Sequence, residues 1–250
     1  MEDQVLLLLV KLKLDLPYLV IADLFDVSSQ TVSNVIDSLL SVLCEYFYKG
    51  EGPLAKIPSR HKNASSLPKC FSDMKNCRIV VDCTEFRMEP CKILSTKKIT
   101  FSNYKGTHTA KALIGCAPNG TVTFVSDLFG GSESDKSIVL KSGLLTQLQP
   151  GDMILADKGF ELFDVLPQGV SLNIPSFLNK DQFTLNETIR NRATARARVI
   201  IERLNARFKV FRVLDCIKVE SRKKADLIVK VCVALTTLLP TLMDELNQIE

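Results

Sequence analysis

The 250-residue sequence predicts an α/β protein, in which a mixed β-sheet flanked by helices follows a small all-α segment. Residues 1–48 have apolar side chains at helical spacing throughout. Two short and nearly all-apolar runs, at residues 78–82 and 153–157, have the length of buried strands. A long amphipathic pattern at about residues 186–210 is typical of a helix that packs against a sheet.

The composition is that of a folded intracellular protein with one large core. Hydrophobic residues make up 46% of the chain, enough to bury a sizeable core. The eight cysteines form no C-x-x-C pair and have no adjacent histidine, so we expect reduced thiols and no zinc site. The first residues lack the basic start and the long apolar run of a signal peptide.

Two further stretches are informative about partners. Residues 225–243 are apolar but are interrupted by Asp226, Lys230 and Pro240, which favours a buried helix over a membrane span, so we expect no membrane partner. The net charge of +4 is unevenly distributed, because residues 1–50 hold three basic and seven acidic side chains. The rest of the chain has a net charge of +8, and this excess could contact a polyanion such as DNA.

Residues 1–50 are expected to form a helix-turn-helix segment. Ala22 lies where two helices must approach closely, Val27 is expected to fill the turn, and Ser28 or Ser29 to cap the second helix. That helix offers polar side chains that can contact base edges, but it has no Arg or Lys before Lys49 to neutralise phosphate. DNA contact and a purely structural or dimerising role are therefore equally compatible with this segment.

Residues 51–75, rich in Gly, Pro, Ser and Lys, are expected to be a linker to a second domain at residues 76–250. Within that domain, strands, turn residues and helical patterns alternate. The expected order is a strand at 78–82, a hairpin at 111–116 and 121–128, a helix at 135–148, strands at 153–157 and 171–176, and a helix at 186–210.

Asp82 and Asp157 follow directly on the two apolar strands. A charged side chain at the end of a buried strand costs free energy unless something pairs with it. If the strands are neighbours, the two carboxylates lie at one edge of the sheet and repel each other unless a cation lies between them. Hard oxygen ligands of this kind suit Mg²⁺ or Mn²⁺ rather than zinc.

The long helix supplies a third acid. Its apolar stripe, about 80° wide, is formed by Ala197, Ile201, Leu204, Phe208 and Phe211. Glu202 lies on the shoulder of this stripe, beside Arg198 and Lys209, from where it would reach the two aspartates. Another face contains Arg192, Arg196, Arg203 and Arg207, which could contact the sugar-phosphate backbone.

Each of these features also has a simpler interpretation. Asp82 and Asp157 could be turn residues, Glu202 could form a surface salt bridge with Arg198, and an arginine-rich helix face is often only solvated. Taken together and in this order, the acids and the predicted elements favour a metal site over these readings.

The residues resemble the DDE superfamily endonucleases of eukaryotic Harbinger-like transposons. The resemblance spans about residues 78–245, and the N-terminal helices resemble the helix-turn-helix that precedes the nuclease domain in such proteins. No single segment is specific, but their combination and order are. The segments are VDCTE at 81–85, FSNYK at 101–105 leading into KALIG at 111–115, GGSESDK at 130–136, LADKGF at 155–160 and IER at 201–203.

The resemblance implies an RNase H-like fold, nuclear localisation and a divalent-metal-dependent DNA endonuclease of transposase type. It assigns Asp82, Asp157 and Glu202 as the catalytic and metal-binding acids for Mg²⁺ or Mn²⁺. In a two-metal hypothesis, Asp82 would bridge both ions, Asp157 would hold one and Glu202 the other. Asp135 also matches a family position and is a candidate supporting acid. Candidate DNA-binding residues are Lys105, Lys111, Arg192, Arg196, Arg198, Arg203 and Arg207.

DNA is the expected partner. Family members often have a zinc-dependent DNA-binding finger ahead of the helix-turn-helix, and this sequence begins almost at the helices, so a separate DNA-binding partner protein is a second candidate and a homo-oligomer a third. Two other functions stay open. The protein could be a host-recruited transposase relic that binds DNA or protein without cutting, or a generic RNase H-like ribonuclease.

Overall fold

In the computed structural model, which describes residues 1–176, 182–240 and 242, the chain begins with three helices. These are α1 (Glu2–Leu14), α2 (Tyr18–Phe25) and α3 (Ser29–Tyr48), the helix-turn-helix arrangement expected from the sequence. Ser28 caps α3, since its hydroxyl accepts a hydrogen bond from the Thr31 backbone N–H at 3.0 Å. Ala22, where two helices were expected to approach closely, is buried.

The expected role of Val27 was wrong, because its side chain is 38% exposed and does not fill the turn. The turn is closed by the backbone instead. The Val27 N–H donates to the Ala22 carbonyl, and Asp26 ends α2 in the left-handed conformation at a φ of 51°. These two backbone features direct the Val27 side chain outward.

Seven strands are present in the described residues, and they form one mixed sheet. Its main path runs β2-β3-β1-β6-β7, with β4 and β5 also paired to β3. Strand β3 is antiparallel to β1, whereas β6 is parallel to β1 and β7 is parallel to β6. The strands are β1 (Cys77–Arg87), β2 (Phe101–Ser102), β3 (Thr107–Cys116), β4 (Val122–Val125), β5 (Phe129–Gly130), β6 (Met153–Leu155) and β7 (Ser171–Asn173).

Helices flank this sheet, which gives the predicted α/β architecture. Short 3-10 turns at residues 69–71, 144–147, 212–214, 219–224 and 236–238 connect the elements. Among the described residues, no helix is both long and apolar enough to cross a membrane. The helices after the helix-turn-helix are α4 (Arg60–Ala64), α5 (Leu94–Thr100), α6 (Asp135–Lys141), α7 (Leu185–Phe208) and α8 (Ala225–Leu235).

Several expected boundaries are wrong. The strands expected at 121–128, 153–157 and 171–176 are shorter, at Val122–Val125, Met153–Leu155 and Ser171–Asn173. The strand expected to end at Asp82 continues to Arg87, because β3 pairs with β1 along that whole length. The helix expected at 135–148 ends at Lys141, because Gly143 adopts a left-handed φ of 78°. Phe211 lies beyond the end of α7 at Phe208, so it does not extend the apolar stripe of that helix. Residues 177–181, 241 and 243–250 of the expected second domain lie outside the described residues.

The two faces of the sheet pack against different layers. Side chains alternate along β1, so that Val80 belongs to the apolar cluster formed with α7, α8 and the N-terminal helices. Its neighbours Ile79 and Val81 belong to a second cluster on the opposite face, with α6. Asp82 has the same parity as Val80 and therefore lies on the α7 face.

Residues 51–75, expected to be a linker, pack against the sheet. The carboxylate of Asp152 is fully buried and forms ion pairs with Arg60 at 2.9 Å and Arg78 at 3.2 Å. The side-chain amide of Asn63 donates to the Arg78 carbonyl at 2.9 Å. Because an unpaired buried carboxylate would be costly, these contacts hold the segment in place.

The N-terminal helices are also docked on the rest of the chain. The Tyr48 hydroxyl at the end of α3 donates to the Lys230 carbonyl in α8 at 2.8 Å. Lys218 forms an ion pair with Asp15 at 2.8 Å, and Lys224 forms one with Asp37. The acidic N-terminal segment is therefore joined to basic residues near the C-terminus.

Candidate active site

Asp82 within β1 and Asp157 just after β6 line the same cavity. Strands β1 and β6 are parallel and paired up to Val80 and Leu155, and each aspartate lies two residues beyond this last β1–β6 pair. Val80 and Leu155 belong to the same apolar cluster, so Asp82 and Asp157 leave the sheet on the same face. The structure thus brings together the two acids that the sequence placed at the strand ends.

Helix α7 contacts both aspartates. The Asn205 side chain donates from Nδ2 to Asp82 Oδ2 at 2.7 Å and accepts from Thr84 Oγ1 at 3.0 Å. The Arg198 guanidinium forms an ion pair with Asp157, with 3.1 Å between Nη1 and Oδ1. Since Asn205 and Arg198 are seven residues apart, they lie on one face of the helix.

The surroundings of Asp82 make its negative charge unfavourable. Burial raises the pKa of the Asp82 carboxyl, whereas the Asn205 hydrogen bond and the Arg198 charge lower it. The charges of Asp157 and Asp135 raise this pKa further. Burial likewise raises the pKa of the neighbouring Cys83 thiol, and the Asp135 and Asp82 charges add to this.

These acids line a cavity of about 530 Å³. Asp135 is in the first turn of α6, which Ser134 caps, and its carboxylate forms an ion pair with Lys111 at 3.4 Å. Lys111 also lies 3.8 Å from Glu85. The charged residues that line the cavity are Asp82, Glu85, Asp135, Asp157, Lys105, Lys111 and Lys209.

The third predicted acid, Glu202, has a different position. It lies on α7 between Arg198 and Asn205, on the flank of the face that contacts both aspartates, but its side chain is exposed and does not line the cavity. Within residues 1–176, 182–240 and 242, no group of three or more His, Cys, Asp or Glu residues is close enough to hold a metal ion. The assignment of Glu202 as a shared metal ligand stays a prediction.

The carboxylate oxygens of the two aspartates are ligands that suit a hard divalent cation. Asp82 Oδ2 is held by Asn205, and Asp157 Oδ1 accepts the Lys158 N–H at 2.7 Å. Each carboxylate is thus oriented through one oxygen, and carboxylate oxygens are ligands that suit Mg²⁺ and Mn²⁺.

The candidate DNA-binding residues fall into two groups. Lys105 and Lys111 line the cavity, and Arg198 lies at its edge with an Nε atom that is buried and has no hydrogen-bond partner among the described residues. The other arginines project from the opposite side of α7, where the Arg207 guanidinium donates to the Pro240 carbonyl. They are Arg192, Arg196, Arg203 and Arg207.

Three residues near the acids were not assigned from the sequence. Asn205 is buried on the apolar side of α7. A polar amide at such a position needs a hydrogen-bond partner, and this was the signal in the sequence that could have identified it. Glu85 and Tyr104 lie within two of the resembling segments, at 81–85 and 101–105, and both line the cavity.

Comparison with known proteins gives two matches to family models. The model described as DDE superfamily endonuclease matches residues 81–237, and the model described as helix-turn-helix of DDE superfamily endonuclease matches residues 1–48. The first covers more than half of the chain and includes Asp82, Asp157 and α7. No curated protein and no solved structure matches the chain.

Proposed function

The chain belongs to the DDE superfamily endonucleases, and from that premise we propose that it is a divalent-metal-dependent DNA endonuclease of transposase type. The reaction in this proposal is hydrolysis of phosphodiester bonds, with strand transfer as a second reaction of the same site. One observation supports it above the others. Two carboxylates on neighbouring parallel strands share one cavity and are oriented by the same helix.

In the proposed mechanism, Asp82, Asp157 and Glu202 would hold Mg²⁺ or Mn²⁺. When bound, such ions lower the pKa of a water molecule or a 3′ hydroxyl for in-line attack and stabilise the leaving oxygen. Glu202 is exposed on the flank of α7, so its participation needs its side chain to turn toward the two aspartates. Asp135, which lines the same cavity, is the proposed supporting acid.

The protein's own side chains orient the acids and attract the DNA backbone. Asn205 fixes the orientation of Asp82 through its 2.7 Å hydrogen bond, and Arg198 offsets the charge of Asp157. The Arg198 guanidinium beside Asp157 also adds positive charge near the cavity, toward which a phosphate would be attracted. Lys105 and Lys111 supply positive charge beside the four carboxylates, where a phosphate would otherwise be repelled.

The helix-turn-helix is the proposed contact with duplex DNA outside the cavity. The first turns of α3 expose Gln30, Thr31 and Asn34, and the Gln30 amide donates to the Asn34 side chain at 2.9 Å. Amide side chains of this kind can bond to adenine in the major groove. Nuclear localisation is a further part of the proposal, because the substrate would be chromosomal DNA. A separate DNA-binding partner and self-association are also proposed.

Nicking of supercoiled plasmid tests the enzymatic proposal. Wild-type protein with Mn²⁺ should convert the plasmid to open circles, and EDTA should stop the reaction. Asp157→Asn keeps the size of the side chain but weakens its interaction with a cation, so nicking should fall below detection while the circular dichroism spectrum stays unchanged. Asp73→Asn is the control, because Asp73 is exposed and lies at a different cavity.

Two results would contradict the proposal. If Asp157→Asn nicks the plasmid as fast as the wild type, these carboxylates are not the site of cleavage. If the wild type leaves duplex DNA intact but cuts the RNA strand of an RNA-DNA hybrid, the site is a ribonuclease. The Glu202→Gln variant in the same assay decides whether this exposed acid belongs to the metal site.

A further inference from the structure

The segment between β1 and β3 has a basic and aromatic surface, of which the proposed mechanism uses only Lys105. The sequence has no Asp or Glu between Glu89 and Asp127. Helix α5 exposes Lys97 and Lys98, and neither forms an ion pair with a described residue. The turn between β2 and β3 then places Tyr104 and Lys105 at the wall of the acidic cavity.

Tyr104 is unusually exposed for a large aromatic residue. Its relative accessibility is 84%, although it borders a cavity that also contains Asp82 and Asp157. The Lys105 ammonium lies 4.7 Å from the centre of the ring, on which a cation is favourably placed. The rest of the ring remains open, because the residue has no other ring contact within the described chain.

The turn that presents Tyr104 is firmly held. Ser102 and Thr107 pair across β2 and β3, and the Gly106 N–H donates to the Ser102 carbonyl at 2.9 Å. The Lys105 N–H donates to the Ser102 hydroxyl at 3.2 Å. Gly106 has a φ of 62°, a conformation that suits glycine. The exposed ring therefore stands on an ordered turn.

Helix α5 is fixed against β5 as well. The Ile99 carbonyl accepts hydrogen bonds from the N–H and the hydroxyl of Ser132, at 3.1 and 2.8 Å. A Cβ atom on Gly130 would lie 2.4 Å from the Ile99 carbonyl oxygen, so only glycine permits this approach. A second cavity of about 380 Å³, lined in part by Lys97, Lys98 and Phe101, lies along this segment.

We propose that the Tyr104 ring is a stacking platform for an unpaired base of the DNA strand held at the carboxylates, and that Lys97, Lys98 and Lys105 bind the adjoining phosphates. The inference rests on the proposed nuclease function, because it places the base next to the phosphate at Asp82 and Asp157. Bases inside a duplex already stack on their neighbours, so an exposed aromatic face selects unpaired or terminal bases. The lysines fit the polyanionic strand but give no sequence preference.

Binding of labelled oligonucleotides in EDTA tests this inference independently of cleavage. Fluorescence anisotropy would compare the full chain on a single-stranded oligothymidine and on a blunt duplex with closed hairpin ends. Tyr104→Ala should weaken single-strand binding roughly 5- to 100-fold, the range expected for loss of one base-aromatic stack. Tyr104→Leu should do the same, since it is apolar but not flat, and Tyr104→Phe should bind as the wild type does.

The matched control is Tyr46→Ala, because Tyr46 is also exposed, at 65%, but lies on α3. It should leave single-strand binding unchanged. The inference is overturned if Tyr104→Ala changes single-strand affinity less than twofold, if Tyr104→Leu binds as well as Tyr104→Phe, or if the duplex loses affinity equally. Absence of nicking by the wild type, with the Tyr104 effect intact, would count against the proposed nuclease function and leave the platform as a single-strand binding site.

Discussion

Asn205 is the residue on which the arrangement of the site depends most directly. It is buried, donates to Asp82 and accepts from Thr84, so both ends of its amide are used. An aspartate at that position would put two carboxylates in contact, and an apolar residue would leave Thr84 and Asp82 without a partner. Asn205 therefore acts as a positioning residue for Asp82.

Asn205→Ala should lower the rate of Mn²⁺-dependent nicking by about 10- to 100-fold, the usual effect of removing a group that orients a metal ligand. The Mn²⁺ concentration for half-maximal nicking should rise, which a general loss of stability would not produce. A titration of plasmid nicking against Mn²⁺ checks both values. Asn186→Ala, an exposed residue near the start of the same helix, should leave both unchanged. An unaltered Mn²⁺ requirement in Asn205→Ala would exclude the positioning role.

At the residue scale, the sequence predicts some of the site well. Asp82 and Asp157 were predicted because a carboxylate that follows an apolar strand is a local pattern. The placement of Asn205 and Glu202 depends on how α7 is rotated against the sheet. An apolar stripe about 80° wide does not define that rotation closely enough to decide which of two neighbouring polar residues faces Asp82.

Among the elements that the sequence did not predict are α5 and the turn after β2. Leu94–Thr100 is only seven residues long, and its position is determined by glycines that come much later in the chain. Short helices have little intrinsic stability, so their formation depends on tertiary contacts. The long helix α7 and the hairpin of β3 and β4 were predicted because their patterns are longer or include a strong turn signal.

Gly131→Ala tests the docking of α5. A Cβ atom there would lie 2.2 Å from Thr109 Oγ1 and 2.7 Å from the Thr100 carbonyl oxygen, so the strand and helix must separate. We expect a loss of about 1–3 kcal/mol in the free energy of unfolding, as for other overpacked sites. Urea denaturation measures it. Gly159→Ala is the matched control, because its nearest neighbour, Asp135 Oδ2, is 3.9 Å away. Equal stability of the two variants would contradict this account of α5.

At the scale of the whole molecule, the helix-turn-helix and the sheet domain share one hydrophobic core. The same apolar cluster contains Leu12 and Ile36 from the N-terminal helices and Val80 and Val231 from the sheet and α8. The division at residues 51–75 follows the change in composition, but that segment packs against the sheet through its contacts with Asp152 and Arg78. Composition shows that a segment is rich in residues typical of linkers. Whether that segment packs depends on contacts with residues distant in sequence.

Removal of residues 1–48 should therefore expose the apolar face of α8 and leave a product that aggregates. The full chain should unfold in one cooperative thermal transition, followed by circular dichroism. Size-exclusion chromatography of the truncated chain provides the second measurement. A monodisperse truncated protein with an unchanged melting temperature would show that the helix-turn-helix is an independent domain.

The seven-residue separation of Arg198 and Asn205 on α7 has one more consequence. Two turns of helix span about 10 Å, and along that length the backbone moves as a rod. A translation or rotation of α7 would weaken its contacts with Asp157 and Asp82 at the same time, because Arg198 and Asn205 both belong to this helix. Movement of α7 would then change the orientation of both aspartates together. DNA bound at the far end of this helix would affect both strands in the same way.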